Sequence, residues 1–179
     1  MYKLKLTILQ QDILRLLFIK NGASLNARTI AKLLDVSQPA VSKSLPYLQK
    51  EGFIKVSKDK NSKRLSIEVN RDTPQVVWLK RADNLKQIYE SGLVKFIYDT
   101  FPEATVILFG SYAFGEDTTN SDIDLAIIGS KEKDIDLSKF EKLLERPIVI
   151  NYYKSFKSID NHLLNNIVNG ITLKGAVDI

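Results

Sequence analysis

The chain has 179 residues, a formal net charge of +5, 44% hydrophobic and 26% charged residues, the composition of an ordinary globular protein of one large domain or two small ones. It contains no cysteine, which excludes disulfides, thiolate metal sites and a cysteine nucleophile. No apolar run reaches the length of a membrane span and the N-terminus lacks the pattern of an export signal, so a cytoplasmic location without a membrane partner is expected. The charge is segregated. Residues 1–70 carry thirteen Lys and Arg against five acids, and residues 71–179 carry thirteen against sixteen, which directs any nucleic acid to the front half.

Apolar residues at 9, 13, 14, 16, 17 and 18 form a helical stripe from Thr7 to Lys20, ended by Asn21 and Gly22. A second helix is predicted over Ala27–Leu34, capped by Asn26, and a third over Gln38–Lys50, capped by Ser37 with Pro39 in its first turn. Pro46 falls inside the third helix and is expected to kink it or displace its last turn. Phe53–Val56 and Leu65–Val69 read as strands joined by the polar SKDKNSKR, a hairpin. This order, with the text RTIAKLLDVSQPAVSKSLPYLQKEGFIKV, resembles the winged helix-turn-helix of MarR-like transcription regulators. The resemblance implies that the third helix enters the major groove of double-stranded DNA, with Gln38, Ser42 and Lys43 as contacts, and that Lys58, Lys60, Lys63 and Arg64 of the wing meet the sugar-phosphate backbone.

A linker helix is predicted from Pro74 to about Ser91, in which Trp78 reads as core or interdomain packing, and a further helix over Leu93–Phe101. The domain boundary is placed near residue 72, giving domains of 1–72 and 73–179. Val106–Phe109 is a β-branched, apolar strand that runs into Gly110 and Ser111, where a glycine lets backbone pass close to a phosphate. After a ten-residue spacer, Tyr112 to Ser121, Asp122 and Asp124 alternate with Ile123 and Leu125, so both carboxylates share one strand face. A helix over Leu137–Leu144, a strand over Pro147–Tyr153, a helix over Ser158–Val168 and a strand over Ile171–Lys174 complete an α+β chain with a mixed sheet. His162 has no His or Cys partner in the sequence and reads as a surface or packing residue.

The string ILFGSYAFGEDTTNSDIDLAII resembles the minimal nucleotidyltransferase domain of the DNA polymerase beta superfamily. The resemblance implies that Gly110 and Ser111 bind the phosphates of a nucleoside triphosphate, and that Asp122 and Asp124 are catalytic and hold Mg²⁺. It also implies a third carboxylate on the following strand, but Ile148–Tyr153 has no acid and Asn151 is the nearest substitute. Two functions stay open. One is a DNA-binding, transcription-regulator-like protein that binds nucleotide and Mg²⁺ with weakened or lost catalysis. The alternative is an active Mg²⁺-dependent nucleotidyltransferase acting on a hydroxyl of a protein, nucleic acid or small molecule. A homodimer is the default for a winged-helix regulator, and small nucleotidyltransferases of this kind also imply a separate helical protein as partner.

Overall fold

The computed structural model describes residues 5–58 and 65–178 and divides into two units, Met1–Lys80 and Arg81–Ile179. In the first unit α1 (Ile8–Ile19) begins with a capping box, in which the Thr7 hydroxyl accepts from the Gln10 amide while the Gln10 side chain accepts from the Thr7 amide. Helix α2 (Ala27–Leu33) starts at Asn26, whose side chain accepts from the Thr29 amide at 2.9 Å. Helix α3 (Gln38–Lys50) starts at Ser37, which caps the Ala40 amide.

The apolar stripe of α3 is Val41, Leu45 and Leu48, all buried with Ser44. Its hydroxyl bonds back to the Ala40 carbonyl. Burial of this face against Ile13, Leu17, Ile30, Phe53 and Ile67 leaves Gln38, Ser42, Lys43 and Pro46 on the exposed one. The helix continues through Pro46 to Lys50, so its last turn is retained.

Strands β1 (Ile54–Lys58) and β2 (Leu65–Val69) pair antiparallel from Ile54↔Val69 to Lys58↔Leu65. Leu25 adds a bridge to Ile67, which ties the approach to α2 onto the hairpin. Helix α4 (Pro74–Glu90) follows. Trp78 on it is 65% exposed and takes no part in the core of this unit, to which Val76 and Leu79 contribute for the helix.

The second unit is a four-stranded mixed sheet in the order β5-β4-β3-β6, built from β3 (Thr105–Phe109), β4 (Ile123–Ile128), β5 (Ile148–Tyr153) and β6 (Ile171–Lys174). β4 and β5 are parallel, connected through α7 (Ser138–Leu144), and the remaining pairs are antiparallel. Strand alternation divides the side chains between two cores. Ile123, Leu125, Ile127 and Ile148 pack with α5 (Leu93–Thr100) and α7 through Leu93, Ile97, Phe140 and Leu144. Ile107, Phe109, Ala126 and Ile128 pack with Phe156, Ile159 and Ile167.

The last predicted helix is shorter than expected. A 3₁₀ turn at Phe156–Ser158 precedes α8 (Asn161–Val168), because the Asp160 side chain caps the His162 amide and starts the helix there. Among the described residues no helix is long and apolar enough to cross a membrane.

Candidate functional site

Each unit presents one chemically distinct surface. In the first, a groove of about 560 Å³ opens between the start of α2, the exposed face of α3 and Leu65, lined by Asn26, Arg28, Thr29, Gln38 and Ser42. Gln38 and Ser42 are one helical turn apart and therefore line it side by side. Lys43 is exposed on α3 outside the groove lining, and Lys58 is exposed at the end of β1. Lys60, Lys63 and Arg64 lie outside the described residues. Arg28 and Thr29 were not candidates from the sequence; the cap at Asn26 is the signal, since it fixes the first turn of α2 beside α3. Lys55, on the same hairpin, is engaged by Asp72, and this ammonium holds the exposed Asp72 carboxyl below its usual range.

In the second unit, β3 ends at Phe109, which pairs across the sheet with Asp124. The chain then turns into a single helical turn, α6 (Gly110–Phe114). Gly110 has φ +73°, and a Cβ built there would stand 2.4 Å from Asp124 Oδ2. The glycine thus suits the backbone angle, and its missing side chain leaves the space that the end of the Asp124 carboxylate takes. Asp122 immediately precedes β4 and is exposed, while Asp124 inside the strand is half-buried. Burial pushes the Asp124 carboxyl above its ordinary range, and the Asp122 charge adds to the rise. Ser111 sits beside Gly110 in α6, so the structure brings all four residues, Gly110, Ser111, Asp122 and Asp124, to the end of β3 and the start of β4.

The strand register corrects the expectation for the third acid. In the parallel pair Asp124 stands opposite Val149, whereas Asn151 stands opposite Ala126, one same-face position further from the pair. Val149 is 38% exposed, so the position facing the carboxylates is open and apolar. Among the described residues no group of three His, Cys, Asp or Glu side chains is arranged to hold a metal. Two carboxylates against a glycine wall still fit a hard divalent cation whose other positions are filled by phosphate oxygens and water.

A buried polar network, absent from the sequence reading, fastens the segment between Gly110 and Asp122. Asn84 donates to the Tyr112 carbonyl at 2.9 Å and to Asp117 Oδ1 at 2.6 Å. Arg146 donates to Asp117 Oδ2 at 3.4 Å, with both side chains 3% exposed or less, and to the Glu145 carbonyl at 2.8 Å. The signal that could have found it is the charge of Asp117 within a short turn-rich stretch, though its burial follows only from the tertiary fold.

Comparison with known families matches residues 6–66 to the MarR family and residues 90–170 to the nucleotidyltransferase domain. The chain therefore joins a MarR-type winged-helix segment to a nucleotidyltransferase domain. Similar solved structures include ZitR of Lactococcus lactis, a zinc-responsive MarR family member, at 25% identity over 57% of this chain and 67% of that one, with a TM-score of 0.40. They also include MepR of S. aureus in complex with DNA, at 23% identity, 53% and 81% coverage and a TM-score of 0.39. A third is the adhesin competence repressor AdcR of Streptococcus pyogenes, at 27% identity, 55% and 78% coverage and a TM-score of 0.38. The chain spans 66% and 67% of the length of other ZitR structures that it matches. Comparison with curated proteins gave no match.

Two outcomes follow from the Gly110–Asp124 approach. In urea denaturation Gly110→Ala should lose at least the roughly 1 kcal/mol typical of placing alanine at positive φ, and its excess over a control reports how far the Asp124 carboxylate must turn aside. Gly129→Ala is the control, because it shares a positive φ of +85° but has nothing within 4 Å of the added Cβ. For Asp124 the folded state binds its proton more tightly than the unfolded chain, so stability falls as pH rises from the ordinary carboxylate range through the raised folded value. Asp124→Asn should remove that component and raise the thermal midpoint at pH 7, measured by calorimetry across pH 3 to 8.

Proposed function

We propose that the chain is a DNA-binding regulator whose second unit holds a nucleoside triphosphate with Mg²⁺ and transfers its nucleotide poorly or not at all. The observation that carries the nucleotide half is the Asp124 carboxylate occupying the space of a side chain at Gly110. In this reading Gly110 and Ser111 receive the phosphates, and Asp122 and Asp124 hold the cation. When bound, Mg²⁺ would neutralise triphosphate charge and orient the phosphates. The protein's own contribution is to keep two carboxylates at the start of β4, close together at a cost in folding that the ligand offsets.

Transfer needs a group to accept the proton of the incoming hydroxyl. Val149, opposite Asp124, has none, and this favours retention of nucleotide over turnover. In the first unit, Gln38 and Ser42 on α3 are assigned to base edges, with Lys43 and Arg28 beside them for the backbone, and Lys58, Lys60, Lys63 and Arg64 to phosphates along the wing. Two copies of the chain would present two such surfaces to a symmetric site.

Titration calorimetry with each of the four triphosphates and Mg²⁺ should find binding that Asp124→Asn and Asp122→Ala abolish; silence with all four overturns the nucleotide reading. With α-labelled triphosphates the native chain should transfer little or no label, and Val149→Asp should increase transfer at least tenfold. Strong transfer by the native chain, lost in Asp122→Ala, would establish the enzyme instead. DNA affinity should fall steeply with added salt, and changing Lys58, Lys60, Lys63 and Arg64 together to Gln should reduce the slope of log K against log salt by about 3 to 4. A flat salt dependence would overturn the DNA assignment.

A further inference from the structure

The buried Asp117–Arg146 pair has no part in the chemistry proposed above, and burying two charges is favourable only where geometry and further hydrogen bonds compensate their lost hydration. Here the partners come from three separate segments. Asp117 lies in the spacer that leaves α6 and leads to Asp122; Arg146 lies in the turn between α7 and β5; Asn84, on α4, bonds both to Asp117 and to the carbonyl of Tyr112 inside α6. The far end of the spacer is closed locally, by the Ser121 hydroxyl accepting from the Thr118 amide at 3.0 Å.

Both ends of the segment joining Gly110 to Asp122 are therefore pinned, one by the buried network and the other by a surface turn. Asp124 is held by the strand ladder. Asp122 is exposed and one residue outside β4, so it follows the spacer directly and precedes Ile123. We infer that Asp117 and Arg146 are positioning residues that set where Asp122 stands relative to Gly110, and that through it they set the affinity for a Mg²⁺–triphosphate. The second clause rests on the nucleotide reading above, whereas the first is independent of it.

The test uses the full chain and two readouts. Variants are Asp117→Asn and the double substitution Asp117→Asn with Arg146→Gln, which leaves no unpaired buried charge and keeps the comparison available should the single variant fail to fold. The control is Ile97→Val, a buried position that makes none of the network's hydrogen bonds and lies on the face of the sheet opposite Asp124. Amide hydrogen exchange should accelerate at least tenfold over residues 118–122 in the double variant, with β3 and β6 unchanged, and should not do so in the control. Calorimetry with MgATP, well below each thermal midpoint, should show at least tenfold weaker binding in the double variant and native affinity in the control.

Native exchange over residues 118–122 overturns the inference. So does faster exchange with undiminished MgATP affinity, since the spacer would then move without consequence for the site. A native chain that binds no triphosphate removes the nucleotide reading and with it the affinity clause, while the exchange result still decides whether the pair places Asp122.

Discussion

The pairing of Phe109 with Asp124 across β3 and β4 is the constraint from which the second unit's chemistry follows. An antiparallel partner lies about 5 Å away, so the residue immediately after β3 is brought beneath the carboxylate whatever its identity. A side chain there would meet the Asp124 carboxylate where it now stands, and glycine readily accepts the φ of +73° that turns the chain into α6. Once that contact is fixed, strand alternation decides the rest. Ile123 and Leu125 go to one core, while Asp124 stays with Phe109 and Ala126 on the face covered by α8 and the 3₁₀ turn. Half-burial follows, and with it a carboxyl that is reluctant to ionise beside Asp122.

Much of this was legible from residue spacing. The Gly110–Ser111 pair and the Asp122–Asp124 repeat are local patterns whose geometry is set by backbone periods, and hydrophobic runs on either side identify the strands before any coordinates are known. The caps at Asn26 and Ser37 were equally readable, because a short polar side chain before an apolar stripe satisfies amides within its own turn. What spacing did not supply was register. The choice between Val149 and Asn151 as the residue facing Asp124 depends on how two parallel strands slide past one another, and a crossover through α7 leaves that slide undetermined in sequence. Likewise the exposure of Trp78 and the burial of Asp117, Arg146 and Asn84 depend on which faces meet, since a polar residue becomes core only when three distant segments supply its partners.

The first unit follows a different logic. Its small core of Ile13, Leu17, Ile30, Val41, Leu48 and Ile67 consumes one stripe of each helix, and what remains for recognition is the opposite side of α3 with the start of α2. In the proposed reading, recognition would be carried on helices whose inward faces are already committed to the core. The positive charge of residues 1–70 is spread over helices and wing; of the described cations on the hairpin, Lys55 is engaged by Asp72 while Lys58 is exposed.

Helix α3 runs through Pro46 without ending, and this bears on what its outer surface can offer. A proline has no amide hydrogen, so the Ser42 carbonyl, four residues earlier, is left short of its usual intrahelical donor. That carbonyl belongs to an exposed residue beside the groove containing Gln38. Pro46 thus leaves this side of the helix with one intrahelical amide fewer, whatever side chain stands at position 42.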